Sequence, residues 1–185
     1  MSATLACSSA PSAIVRSLLD DDRLVVLATE VIGHRDQAAL GAVALLDRHG
    51  RVLLHTHIRP LGPTPLWSDL PPIEVVWPRL AALLTNRFVA SYHVASDRSL
   101  LRHTARRLGV TLMYAEWRGV GELYCRAKRR SRPCSFATAC REQQIPIHPT
   151  PHALADARAT LQILRVLARP TPVIPSHEIF WRYLR

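Results

Sequence analysis

Four consecutive apolar residues, Leu24-Val25-Val26-Leu27, are entered from the acidic turn Asp20-Asp21-Asp22. A run this short, apolar at every position, reads as a strand buried on both faces at the centre of a sheet. Such a strand needs a layer on each side, and the chain offers amphipathic segments to build them. Ser12 to Leu19 reads as a short amphipathic helix. Ala38 to Leu46 and Arg51 to Ile58 read as a second and a third strand. The link Asp47-Arg48-His49-Gly50 is short enough to force an antiparallel pair, and its glycine suits a hairpin turn. The class is therefore α/β.

The rest of the chain continues the alternation. Pro60 to Pro71 is a proline-rich loop, and Pro71-Pro72 opens a helix through Leu84, with Pro78 expected to kink it. Arg87 to Tyr92 returns as a strand. Ser96 to Leu108 is a helix ended by Gly109, and Thr111 to Trp117 is the fifth strand. Glu122 to Arg130 and Ser135 to Gln144 are expected as short helices. Ala153 to Leu167 is the strongest helical pattern, with Leu154, Ala157, Leu161, Leu164 and Leu167 in one stripe. At 185 residues the chain reads as one domain, with a core from about 24 to 168 and a tail, 169–185, whose Phe180, Trp181, Tyr183 and Leu184 are expected to dock on the body.

Charge narrows the partner. The 24 Lys+Arg stand against 14 Asp+Glu, a formal net charge of +10, and every basic residue except Lys128 is arginine. A polyanionic partner follows, and an acidic regulator or calcium buffer is excluded. No segment approaches the ~20 apolar residues of a membrane span, and Met1 to Ala13 lacks a basic segment with an unbroken apolar core. No membrane partner and a cytoplasmic location are the expectation. Cys7, Cys125, Cys134 and Cys140 form no C-x-x-C pair and read as reduced, partly buried thiols rather than as a zinc site with His148.

Acids are scarce, so their placement matters. Glu30 ends the first strand, Asp97 opens the helix after the fourth, and Asp156 lies early in the last long helix. In an α/β sheet, strand ends and helix starts face the crevice where ligands bind. The strings around these acids carry a resemblance. VVLATEVIG (Val25 to Gly33) resembles the first motif of the DEDD superfamily of 3′-5′ exonucleases, an apolar strand, Asp-x-Glu and a glycine. VASYHVASDRSLL (Val89 to Leu101) resembles the second motif, and HALADARAT (His152 to Thr160) the third. SFATACREQQIPI (Ser135 to Ile147) is similar to the helix preceding the third motif in proofreading subunits of bacterial DNA polymerase III.

The resemblance covers about Leu24 to Ala168. It implies a ribonuclease H-like fold, a mixed five-stranded sheet with helices on both faces. It also implies metal-dependent 3′-5′ exonucleolytic hydrolysis of phosphodiester bonds at single-stranded DNA or RNA 3′ ends. Two Mg²⁺ or Mn²⁺ ions about 4 Å apart would clamp the attacking and leaving oxygens, with hard carboxylate ligands. By resemblance Glu30, Asp97 and Asp156 would be the metal and catalytic acids.

Two positions depart from the pattern. Ala28 stands where the first motif has its leading aspartate, and alanine supplies no ligand. Losing a transition-state interaction of ~3 to 4 kcal/mol costs a hundredfold or more in rate. Pro151 occupies the position of the family's histidine base, five residues before Asp156, while His152 lies four before it. On a helix His152 and Asp156 would share a face, and an ordinary imidazole pKa of ~6.5 suits proton abstraction. His152 is thus the candidate base. Arg126, Lys128, Arg129, Arg130 and Arg132 are candidate contacts to the nucleic-acid backbone, and Tyr92 and His93 could stack on bases. A catalytically silent nucleic-acid-binding or partner-binding module with the same fold is the alternative. A third option is an accessory subunit whose tail, Pro170 to Arg185, docks on a polymerase. The His55-x-His57 pair lacks a third ligand and reads as structural.

Overall fold

A computed structural model describes residues 11–33, 38–59 and 68–169. The tail from Pro170, most of the loop from Pro60, and Cys7 lie outside these described residues. Five strands form one sheet in the order β3-β2-β1-β4-β5. They are β1 Leu24–Ile32, β2 Ala39–Asp47, β3 Val52–His57, β4 Phe88–Ser91 and β5 Glu116–Gly119. The β1–β2 and β2–β3 pairs are antiparallel, and the β1–β4 and β4–β5 pairs are parallel. The sheet is therefore mixed and five-stranded.

β1 lies in the middle because its side chains are apolar in both directions. Leu24, Val26 and Ala28 enter one core and Val25 and Leu27 the other. Each fully buried Leu or Val side chain contributes about 1.5–3 kcal/mol by leaving water. The first core is covered by helices α1 (Pro11–Asp20), α4 (Val120–Ala127), α5 (Phe136–Glu142) and α6 (Ala153–Ala168). The second is covered by α2 (Ile73–Leu84) and α3 (Val94–Arg107). Leu161, Ile163 and Leu164 of α6 are all at most 2% exposed, because this helix packs over both β1 and β2.

The β2–β3 hairpin closes as its sequence requires. Gly50 has φ 93°, the left-handed region open to a residue without Cβ. Asp47 Oδ1 accepts from the backbone N–H groups of His49 (2.8 Å) and Arg51 (2.9 Å) and fixes the turn.

Several boundaries differ from the sequence expectation. β1 runs on to Ile32 because β2 supplies backbone partners along its whole length, with a bulge between Glu30 and Val31. The fifth strand is not Thr111 to Trp117 but Glu116–Gly119, the four residues that face Phe88 to Ser91. Helix α3 starts two residues early, at Val94, and brings Asp97 into its first turn. Helix α4 ends at Ala127, so Arg129 to Arg132 lie beyond it, and Arg129 takes φ 51°. Pro78 is accommodated inside α2. Among the described residues no helix is long and apolar enough to cross a membrane.

Candidate functional site

Strand alternation sends the end of β1 to two sides of the sheet. Thr29 turns toward α3, where its Oγ1 donates to Asp97 Oδ1 at 2.6 Å. Ser91, the last residue of β4, donates its hydroxyl to Asp97 Oδ2. Both carboxylate oxygens of Asp97 are thus engaged, and the residue is only 9% exposed. Burial pushes its carboxyl above the ordinary aspartate value, against the lowering effect of the two hydroxyls.

Glu30 points to the other side. Its Oε1 accepts the backbone N–H of Ala153 in the first turn of α6. That N–H is one of the donors a helix start leaves unpaired, and the helix dipole favours the acid there. Asp156, one turn further along α6, is half-buried; burial raises its pKa, and the nearby Glu30 carboxylate raises it further. A small cavity of about 60 Å³ brings Ala28, Thr29, Ser91, His93, Asp97 and Asp156 together at the β1–β4 seam. Of the three acids that the sequence singled out, Asp97 and Asp156 line this cavity together with Ala28, whereas Glu30 lies outside its lining but close enough to Asp156 to act on its charge.

The donors do not make a two-ion centre. Ala28 contributes no oxygen, Asp97 is committed to two hydroxyls, and Glu30 to the start of α6. Among the described residues, no group of three or more His, Cys, Asp or Glu side chains is arranged to hold a metal ion. His152 is the N-cap of α6: its Nδ1 accepts from Ala155 N at 3.3 Å. That bond uses the lone pair a base would need and puts the neutral ring's proton on Nε2.

A larger groove of about 750 Å³ adjoins the cavity and shares Tyr92 and His93 with it. Arg126, Arg130 and Arg132 line this groove. Arg130 is paired with Glu142, which also accepts from the Tyr124 hydroxyl at 2.7 Å, so Glu142 of α5 ties both α4 and the turn that follows it. Arg126 and Arg132 are exposed and have no such partner among the described residues. Lys128 and Arg129 are exposed but do not line the groove, and Lys128 Nζ lies 5.8 Å from the Tyr124 ring. Tyr92 is buried, with its hydroxyl donating to the carbonyls of Cys134 (2.9 Å) and Ser135 (3.2 Å) and its ring edge-on to Phe136 and His93. It forms the wall between groove and cavity, whereas His93 is exposed. Burial pushes the Cys140 thiol up to about 11, a protonated core group. Thr29, Ser91 and Phe136 were not singled out in the sequence. The alternation of β1 was the available signal for Thr29, since it separates Thr29 from Ala28 and Glu30.

No protein-family model matches the chain. It is similar to the uncharacterized exonuclease CP81 of Escherichia phage 186, with 24% identity, covering 82% of this chain and 90% of the phage protein. Among solved structures it is similar to Exonuclease X in complex with 5′ overhanging duplex DNA (TM-score 0.52, 18% identity, 80% of this chain and 94% of that one). The RNase domain of the yeast Pop2 protein aligns at TM-score 0.53 and 12% identity, over 85% of this chain and 80% of that domain. The fold implied by the DEDD resemblance, a ribonuclease H-like mixed sheet with helices on both faces, is thus the fold this chain adopts, and it shares that fold with exonucleases.

Proposed function

We propose that the chain binds the 3′ end of a single-stranded DNA or RNA, with the end in the cavity at the β1–β4 seam and the backbone in the arginine-lined groove, and that its hydrolytic step is disabled at Ala28. The observation that carries this reading is the state of the acids. Asp97 and Asp156 line one cavity with Glu30 near Asp156, yet Ala28 offers no ligand and Asp97 has both oxygens engaged by Thr29 and Ser91. Arg126 and Arg132 supply the phosphate contacts, and His93 the ring against which a terminal base stacks. Glu30 holds the start of α6 against β1 and His152 caps that helix, which together place Asp156 in the first turn beside the cavity.

The second reading is an active metal-dependent 3′-5′ exonuclease of the DEDD type, in which Glu30 and Asp97 would give up their present hydrogen bonds to hold two Mg²⁺ or Mn²⁺ ions with Asp156, and His152 would give up its cap bond to act as the base. The proximity of Glu30 to Asp156 favours it, because a carboxyl whose pKa is raised by burial and by a neighbouring carboxylate is relieved by a cation. The likeness of Ser135 to Ile147 to proofreading subunits would add a polymerase partner, and a cytoplasmic site of action goes with either reading.

One comparison separates them. The chain and its Ala28→Asp variant are incubated with 3′-labelled single-stranded DNA and RNA in Mn²⁺ or Mg²⁺, and nucleotide release is measured beside strand retention. The expected result is salt-sensitive retention by both proteins, with release only by Ala28→Asp, at least a hundredfold above the parent. Equal release by the two proteins would overturn the disabled-hydrolysis reading, and absence of retention would overturn the nucleic-acid reading.

A further inference from the structure

Four of the nine histidines stand in one row beside the cavity, on the side away from the arginine groove. His57 and His55 on β3 have ring centroids 5.8 Å apart. His55 stacks with His152 at 5.7 Å and an interplanar angle of 25°, and His152 lies 4.9 Å from His148. His55, His57 and His148 are exposed. Sequence alone suggested a structural role for His55 and His57 and set His148 aside as a zinc ligand.

The register of the sheet explains the row. Ala28 pairs with Ala44, which pairs with His55, and Glu30 pairs with Ala42, which pairs with His57. Directly opposed residues share a face, so each histidine stands on the face of Ala28 and Glu30. Two strand spacings, about 10 Å, separate them. The residues between are alanines, so on this face the histidines are the first long side chains met beyond the cavity. The Arg158 side chain of α6 is exposed and close enough to His55 to act on its charge. It pairs with no carboxylate among the described residues. Seven residues on, Arg165 continues the same helical face and donates to the carbonyls of Arg48 (3.3 Å) and His49 (3.0 Å). The surface offers N–H donors and arginine charge, the chemistry that recognises phosphodiester oxygens.

We propose that His55, His57, His148 and Arg158 form a second contact surface for a phosphodiester backbone, so that a bound nucleic acid spans the cavity from the arginine groove to the β3 edge. The inference rests on the nucleic-acid reading above. A 3′ end lodged in the cavity stops there. The backbone reaching the histidine row therefore belongs either to a complementary strand or to a strand that runs past the cavity.

The test uses the full chain and its His55→Ala/His57→Ala/Arg158→Ala variant, without divalent ions, in fluorescence anisotropy titrations over a range of salt. Three labelled probes are used: a short single strand that fills only the groove and cavity, a long single strand, and a duplex with the same short 3′ overhang. Circular dichroism and the thermal midpoint establish that the variant keeps its fold. A variant that has lost it is replaced by His55→Asn/Arg158→Gln. The expected result is unchanged binding of the short probe and about tenfold weaker binding of the duplex, with a salt slope reduced by about one. Loss for the duplex alone assigns the surface to a complementary strand, and loss for the long single strand as well assigns it to backbone from either source. Unchanged binding of all three probes, or equal weakening of all three, would overturn the inference. Failure of the parent to bind any probe would instead overturn the nucleic-acid reading itself.

Discussion

Asp97 sets a burial penalty against two hydrogen bonds, and replacing it separates the two. In Asp97→Asn the side chain keeps its shape. The amide oxygen accepts from one hydroxyl and the amide nitrogen donates to the other, so the ties to Thr29 and Ser91 persist in neutral form while the buried charge disappears. In Asp97→Ala both ties are lost and two hydroxyls are left in a site where the parent residue was 9% exposed. Each orphaned group costs about 1–3 kcal/mol, so the alanine variant is expected to lose about 2–6 kcal/mol. At about 2–4 °C per kcal/mol for a chain of this size, its midpoint falls by about 4–24 °C.

The pH dependence follows from the raised pKa of Asp97. The folded state holds the proton more tightly than the unfolded chain, so ionisation of Asp97 opposes folding. This cost is absent below the unfolded value of 3.8. It develops as pH rises through the folded pKa and is complete above it. Urea unfolding of the parent and Asp97→Asn from about pH 7 down to about pH 4 should therefore show the parent gaining stability relative to the variant as pH falls. Asp156, raised in the same direction, stays in both proteins and cancels in the difference. A parent that loses stability relative to Asp97→Asn on acidification would refute the reasoning, because the hydroxyls would then outweigh burial.

Three further perturbations have defined outcomes. A Cβ at Gly41 would stand 2.2 Å from Ile32 Cγ1; Gly41→Ala should cost about 1–3 kcal/mol in urea unfolding, and Ile32→Ala in the same chain should recover part of it. His152→Ala removes the cap of α6 and should cost about 0.5–2 kcal/mol, whereas His152→Asn should retain most of the stability. If His152 acts only as a cap, His152→Asn in the Ala28→Asp background leaves the pH profile of nucleotide release unchanged. Arg126→Ala/Arg132→Ala should weaken binding of every single-stranded probe and lower the log–log salt slope by about two, whereas Lys128→Ala, outside the groove, should change it less.

The layers of this fold were legible because they follow from local pattern. The Leu24 to Leu27 run announced a strand covered on both sides, and Gly50 announced the hairpin. Glu30, Asp97 and Asp156 were legible as a set through the motifs around them; Asp97 and Asp156 line one cavity, and Glu30 lies near Asp156 outside that lining. What the sequence did not display are relations across the sheet. Glu116–Gly119 is a strand because Phe88 to Ser91 face it, not because of its own composition. Asp97 is tied by Thr29, 68 positions away, through a contact that depends on the alternation of β1 and the early start of α3. The stack of His55 on His152 depends on the register of β3 and the place where α6 begins, which no local window contains. Arg130 looked like its neighbours in a basic run, and only the packing of α4 against α5 commits it to Glu142.

The parallel seam between β1 and β4 also bears on the order in which the protein assembles. Strands β1, β2 and β3 are joined in sequence and can meet early through short closures. Pairing Leu24 with Phe88 instead requires closing a loop of more than sixty residues, a step whose entropy must be spent before its contacts form. The cavity sits on that seam, with Ala28 and Thr29 from one side and Ser91 and Asp97 from the other. Its walls exist only once the late pairing is complete. A nascent chain that has folded its hairpins thus displays the histidines of β3 before it has a pocket for a strand end, and hydrogen exchange at β4 should acquire protection after exchange at β2.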